Sequence, residues 1–330
     1  MNGKKKKVVL SGMRPTGPLH LGHLTGALRN WIKLQDEYDC FYSIVTWHAF
    51  SSEYQNPKAI REYTFEYAAD WLSIGLDPDK SVLFIQSEVK EHAELHLLLS
   101  MIIPLPWLQR VPTFKEMQRE VPDKDLNTYG FLGYPVLQTA DIIIYKADVV
   151  PVGEDQAFHL ELAREITRRF NRLYGNVFPE PQILLTEVPK LAGTDGRKMS
   201  NSFGNAIYIK DPPEVIRKKI STMTTDTRRK RRTDPGVPDD CPVFSLHKAF
   251  VSKEKRKELA QGCLSAGIGC LECKDVVIER LIDILSPFWE KRKLLGKNPQ
   301  LVWKILEEGN KKARDVAQKT MKDVRSAIGL

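Results

Sequence analysis

The 330-residue chain lacks any apolar run approaching the ~20 residues a membrane span requires. Its basic start, MNGKKKKVVL, has no apolar h-region behind it, so no secretory signal is read there and a soluble, cytoplasmic protein is expected. Internal repeats are missing, and the N-terminal lysines are the one low-complexity tract. Disorder is excluded for most of the chain, because 42% hydrophobic and 28% charged residues are enough to build real cores. Cysteine is scarce at five residues, and without a secretory signal disulfides are not expected.

The length suits two domains. Lys and Arg number 50 against 42 Asp and Glu, a bias toward polyanionic partners. The excess is concentrated in DTRRKRRTD (Asp226–Asp234), five consecutive cations beside Pro235 and Gly236. That segment reads either as a solvated turn or as a polyanion contact.

VVLSG (Val8–Gly12), CFYSIV (Cys40–Val45) and SVLFIQS (Ser81–Ser87) read as buried strands. Helical patterns lie between them: Leu24, Leu28, Trp31 and Ile32 share one face, and a second helix opens at Asn56-Pro57 and stops at Gly75. The alternation predicts an α/β fold with a Rossmann-like parallel sheet and ligand sites at the carboxyl ends of the strands. Residues 133–147 read as helix and 148–155 as a strand with a tight turn, followed by a long amphipathic helix. Beyond about Asp211 every segment is helical in period. The expected division is therefore a catalytic domain over 1–210, with a helical insertion at about 97–147, and an all-α domain over 211–330.

Two motifs carry chemistry. In RPTGPLHLGHLTGALRNW, directly after the first strand, His20 and His23 flank Leu21-Gly22 at a helix start. Gly22 permits close approach of a ligand to the backbone, and the helix N-terminus and the two imidazoles offer donors to phosphate. In GRKMSNS, Lys198, Ser200 and Ser202 can aim donors at one polyphosphate if the loop closes, with Gly193 and Gly196 giving the freedom to close.

HxGH after the first strand and KMSxS after the last resemble the two signatures of class I aminoacyl-tRNA synthetases. Within that class the chain resembles the bacterial tryptophanyl-tRNA synthetases over nearly its whole length, through SGMRPTG, GALRNW, FIQSEVKEHAE, YPVLQTADI, VPVGEDQ and DGRKMSNSFGN. The resemblance implies activation of L-tryptophan with ATP and Mg2+, then transfer to tRNA(Trp), by a homodimer. The attacking carboxylate is already a nucleophile, so positioning and electrostatics suffice.

By this resemblance, His20, His23, Lys198 and Lys115 serve catalysis. The ATP site takes Arg14, Pro15, Thr16, Gly22, His23, Gly153, Glu154, Asp155, Val188, Lys198, Met199, Ser200, Asn201 and Ser202. Asp141 accepts the indole N–H, and Tyr134, Gln138 and Gln156 line the tryptophan pocket. The helical domain after residue 210 reads the anticodon, and Leu97–Val111 contributes to the dimer interface. Three residues depart from the common pattern: Asn201 stands for the second lysine of KMSKS, Arg14 for glutamine, and Met117 for lysine. Arg14 is expected to compensate at a phosphate.

Cys241, Cys263, Cys270 and Cys273 are spaced C-x21-C-x6-C-x2-C. Four clustered thiols suggest a metal, either Zn2+ or an iron–sulfur cluster. The spacing resembles the [4Fe–4S] site of a subset of bacterial tryptophanyl-tRNA synthetases, with a first gap one residue shorter, and implies a structural or RNA-orienting role. Other readings stay open: a tyrosyl-tRNA synthetase, which shares the Tyr-x3-Gln-x2-Asp helix, or a paralogue that binds RNA without charging it.

Overall fold

A computed structural model describes residues 6–111, 126–153, 157–185 and 190–330. The chain divides into two compact units: residues 1–16, 31–186 and 298–330 form the first, and 17–30 and 187–297 the second.

The first unit is built on a parallel sheet of five strands: β1 (Val8–Met13), β2 (Asp39–Ile44), β3 (Ser81–Ile85), β4 (Val149–Val152) and β5 (Gln182–Leu185). Their order is β3-β2-β1-β4-β5. Val8 pairs with Asp39 and Met13 with Ile44, Cys40 pairs with Ser81, and β4 pairs with β1 through Val9 and Val149. Both faces of such a sheet are covered, so the inner strands are near-continuous apolar runs. That is why the expected strands end within two residues of the observed ones. β5 was not expected, because it is a four-residue edge strand whose ends are exposed and whose alternation is weak.

The helix Pro299–Ile328 packs on β3 and buries Ala313, Ala317, Met321 and Val324 in the core of this unit. At Gly309 a Cβ would stand 1.8 Å from the Leu83 carbonyl oxygen, so the helix backbone lies directly on the strand. The next residue, Asn310, accepts the Ile85 N–H through Oδ1 at 2.8 Å and satisfies a donor at the sheet edge. This packing puts the last helix in the first unit, so compactness does not divide the chain at residue 210.

The second unit holds the helices Pro213–Ser221, Pro242–Phe250, Lys253–Leu264 and Cys270–Lys297. The first and last of these pack together. Buried Lys274 ties them by donating to the carbonyls of Ser221 and Met223, both at 2.7 Å. The segments 17–30 and 190–211 complete the unit.

Candidate active site

His20 starts a helical turn, Leu21–His23, that passes into a π-helical segment, Leu24–Leu28, and then into the helix Arg29–Glu37. The turn begins at Leu21, because His20 acts as its cap. Its Nδ1 accepts the Gly22 N–H at 3.1 Å, while Nδ1 of His23 accepts the His20 N–H at 3.1 Å. With both Nδ1 atoms accepting, the hydrogen of each neutral ring sits on Nε2, where it can be donated. Burial lowers His20 to about 4, with the Lys198 charge adding, and lowers His23 to about 3, with His20 adding. Both are therefore neutral donors at pH 7. At Gly22 a Cβ would stand 2.9 Å from the His20 ring.

The structure brings the KMSxS loop to HxGH. Leu21 donates its N–H to Ile207 and Ile209 donates to Leu19, both at 3.0 Å, and His20 bridges to Tyr208. Within the loop, Asn205 is the organiser. Its buried amide accepts the Ser200 N–H at 2.9 Å and donates to Asp195 at 2.7 Å and to the Lys198 carbonyl at 3.1 Å. Gly193 lies so close that a Cβ would stand 2.3 Å from the Asn205 amide. Gly196 has φ +87°, a conformation glycine adopts without strain. Met199 is buried, whereas Lys198 and Ser202 are exposed. Asn201 donates to the Pro18 carbonyl at 3.2 Å, and its Oδ1 is buried without a partner. The residue in the place of a lysine therefore tethers the loop to the segment leading into HxGH.

In the first unit the helix Tyr134–Ile143 carries Tyr134, Gln138 and Asp141 on one face. Tyr134 and Gln138 are half-buried and Asp141 is buried. The Asp141 carboxylate receives three hydrogen bonds: His48 Nε2 at 2.9 Å and Gln86 Nε2 at 2.7 Å on Oδ2, and His92 Nδ1 at 2.7 Å on Oδ1. Burial alone would raise its pKa, but the hydrogen bonds from His48 and His92 prevail and hold it well below the usual carboxylate range. The Tyr134 hydroxyl is 3.2 Å from His159 Nε2, and its ring meets His48 edge-on at 6.3 Å.

Arg14 is exposed just after β1, Pro15 is buried, and the Thr16 N–H closes a turn on the Arg14 carbonyl at 2.9 Å. Gly153 follows β4 and is half-buried. Lys115, Met117, Glu154, Asp155, Gln156 and Val188 lie outside the described residues.

The expected metal centre is not supported. Among the described residues no three His, Cys, Asp or Glu side chains are gathered to hold a metal ion. The thiols have other partners: Cys273 Sγ is 3.3 Å from His247 Nε2, and Cys263 Sγ lies 3.9 Å from Arg229. Burial raises Cys273 to about 12, with Cys241, Cys263 and Cys270 adding, so the four thiols do share one neighbourhood.

The basic segment is part turn and part exposed charge. Arg228 grips Asp226 and Asp240, Arg229 donates to the Ile268 carbonyl, and Arg232 pairs with Glu272. Lys230 and Arg231 are exposed, and their side chains have no partner among the described residues.

Sequence reasoning did not single out His48, Gln86, His92, Tyr145 or Asn205. Gln86 closes the apolar run of β3, whereas His92 stands among Lys90, Glu91 and Glu94 where nothing marks it; the partners that satisfy both come from distant segments.

The model of the family described as tRNA synthetases class I (W and Y) matches residues 1–286. The tryptophan–tRNA ligase of Thermotoga maritima is 53% identical over 324 residues, 98% of this chain and 99% of that protein. That of Aquifex aeolicus is 44% identical, covering 98% of this chain and 99% of its own. Among solved structures, tryptophanyl-tRNA synthetase from Campylobacter jejuni complexed with ADP and tryptophan matches with a TM-score of 0.86 at 34% identity, over 98% of this chain and all of that one. The chain belongs to the class I tRNA synthetases of tryptophan and tyrosine, with the parallel-sheet fold of that class. Within the class it is a tryptophan–tRNA ligase. No helix among the described residues is long and apolar enough to cross a membrane.

Proposed function

We propose that Asp141 reads the tryptophan side chain by accepting the indole N–H, with Tyr134 and Gln138 lining the pocket. One observation carries this reading: a buried, ionised carboxylate stands on the same helix face as two half-buried polar groups. A site built on a buried hydrogen-bonding group rejects ligands that leave it unpaired, by about 10⁴–10⁵ in favourable cases.

In activation, a carboxylate oxygen of tryptophan attacks the α-phosphorus of ATP, one O–P bond forms, the α–β bridging bond breaks, and pyrophosphate leaves. The Nε2–H groups of His20 and His23 and the ammonium of Lys198 hold phosphate oxygens as charge moves to the leaving group. Mg2+ brought in with the nucleotide would supply further positive charge at the leaving phosphates. Closure of the loop hinged at Gly193 and Gly196 brings Ser200 and Ser202 to the same anion. Tryptophan-dependent ATP–pyrophosphate exchange, run beside tyrosine, tests this. Exchange with tryptophan alone is expected, and exchange with tyrosine or with neither contradicts it.

The helical region after residue 210 is proposed to bind the tRNA anticodon, with exposed Lys230 and Arg231 on its phosphates, in a cytoplasmic homodimer. Cys241, Cys263, Cys270 and Cys273 are proposed to hold a [4Fe–4S] cluster, with Zn2+ as the alternative, in a structural role. The four-thiol donor set and the shared neighbourhood of the thiols support this reading. Iron, sulfide and zinc analysis of protein purified without oxygen decides between cluster, zinc and free thiols.

A further inference from the structure

Behind Asp141 lies a hydrogen-bonded chain that does not touch the pocket-lining groups. His92 is wholly buried. Its Nδ1 faces Asp141 Oδ1 and its Nε2 faces the Tyr145 hydroxyl, each at 2.7 Å. The Tyr145 ring is clamped, stacked on Phe41 at 4.7 Å and edge-on to Phe84 at 5.4 Å, so the hydroxyl has one place to point. Burial pushes that hydroxyl well above its ordinary pKa, with the charges of Asp141 and Glu91 adding, so it keeps its proton.

An ionised carboxylate only accepts, so a His92 hydrogen sits on Nδ1. The Tyr145 hydroxyl can donate or accept; when it donates to Nε2, the ring keeps a lone pair there and is neutral. An imidazolium would instead place a full positive charge against Asp141 and weaken the acceptor the indole needs. A carboxylate offers about four acceptor positions. Oδ2 uses two on His48 and Gln86, and Oδ1 uses one on His92, which leaves the open position on Oδ1.

We propose that His92 and Tyr145 are positioning residues for tryptophan recognition: Tyr145 holds His92 as the neutral Nδ1–H tautomer, and His92 thereby orients a fully charged Asp141 with one Oδ1 lone pair open to the indole N–H. This rests on the reading of Asp141 given above. Neither residue touches the substrate, so their effect is confined to the affinity for tryptophan.

The test combines a spectroscopic and a kinetic readout. The 15N shifts of His92, assigned by difference against His92→Gln, show a neutral ring protonated on Nδ1 in the parent enzyme. In Tyr145→Phe the ring loses that form, becoming Nε2-protonated or doubly protonated. The KM for tryptophan in pyrophosphate exchange rises about 3- to 10-fold, as expected for one lost buried hydrogen bond. The KM for ATP stays near the parent value. His92→Gln, which keeps a donor toward Asp141, retains more tryptophan affinity than His92→Leu. A doubly protonated His92 in the parent, or an unchanged tryptophan KM in Tyr145→Phe, overturns the proposal. Asp141→Asn separates the two levels: if it also leaves the tryptophan KM unchanged, the reading of Asp141 itself fails, and if it raises that KM while Tyr145→Phe does not, only the positioning chain fails.

Discussion

The amide of Asn201 donates to the Pro18 carbonyl across 183 residues of sequence, and Gly17 beside it has no room for a side chain, because a Cβ would stand 2.6 Å from the Asn201 nitrogen. The position that commonly carries the second lysine of KMSKS thus holds the loop by a tether. Losing that bond costs about 0.5–1.5 kcal/mol, so Asn201→Ala should slow pyrophosphate exchange about 2- to 10-fold with the tryptophan KM unchanged. Gly17→Ala pushes the same amide aside and should act through the same contact. The double variant should then be no slower than the slower single one, which steady-state exchange assays will show.

Helix Pro299–Ile328 depends on Gly309 to reach β3. Added bulk in a packed interface typically costs about 1–3 kcal/mol, and here the obstacle is the rigid Leu83 carbonyl. Gly309→Ala should lower the midpoint of thermal unfolding by several degrees. The effect belongs to the first unit, so Asn205 and the loop it organises should be untouched, and the KM for ATP in the folded enzyme should not move.

The two neutral histidines make stability depend on pH in a defined window. Unfolded histidine takes up a proton near 6.5, whereas in the fold His20 titrates at about 4 and His23 at about 3. Their contribution is fully present above pH 6.5. As pH falls below that, the unfolded chain binds protons that the folded chain refuses, and the contribution declines through folded values near 4 and 3. Denaturant unfolding at pH 7.5, 6 and 5 should show falling stability, and the slope should flatten in the His20→Gln, His23→Gln double variant. Exchange activity should show no transition from these two groups between pH 6 and 8.

Lys230 and Arg231 project from a turn whose other arginines are tied down. If they meet tRNA phosphates, replacing both by alanine should weaken tRNA binding and reduce the slope of log affinity against log salt by about one to two. Adenylate formation, which needs no tRNA, should proceed at the parent rate. A filter-binding series from low to moderate salt measures the first, and exchange the second.

Much of this was legible in the chain. Strands β1 to β3 read as apolar runs because both faces of a parallel sheet are buried, and HxGH and KMSxS were found because their residue types match what phosphate requires. The edge strand Gln182–Leu185 was not legible, since half-exposed residues carry neither period. The amphipathic stripe of Pro299–Ile328 announced a helix but not its partner, because an apolar face does not name what it covers. His92 and Tyr145 stayed hidden for a related reason: a buried polar residue is explained only by its partner, and Asp141 lies 49 residues from His92. The cysteine spacing named four thiols that lie near one another, but among the described residues no group of three metal-ligating side chains is gathered.

Recognition of tryptophan turns on the Asp141 carboxylate. Titration calorimetry of L-tryptophan into the parent enzyme and into Asp141→Asn tests it most directly, because the substituted amide turns donors toward donors at the same shape. A loss of tryptophan affinity of about 100-fold or more, as when a buried charged partner is removed, is the predicted result in a protein that still unfolds cooperatively. Affinity within twofold of the parent would contradict the account.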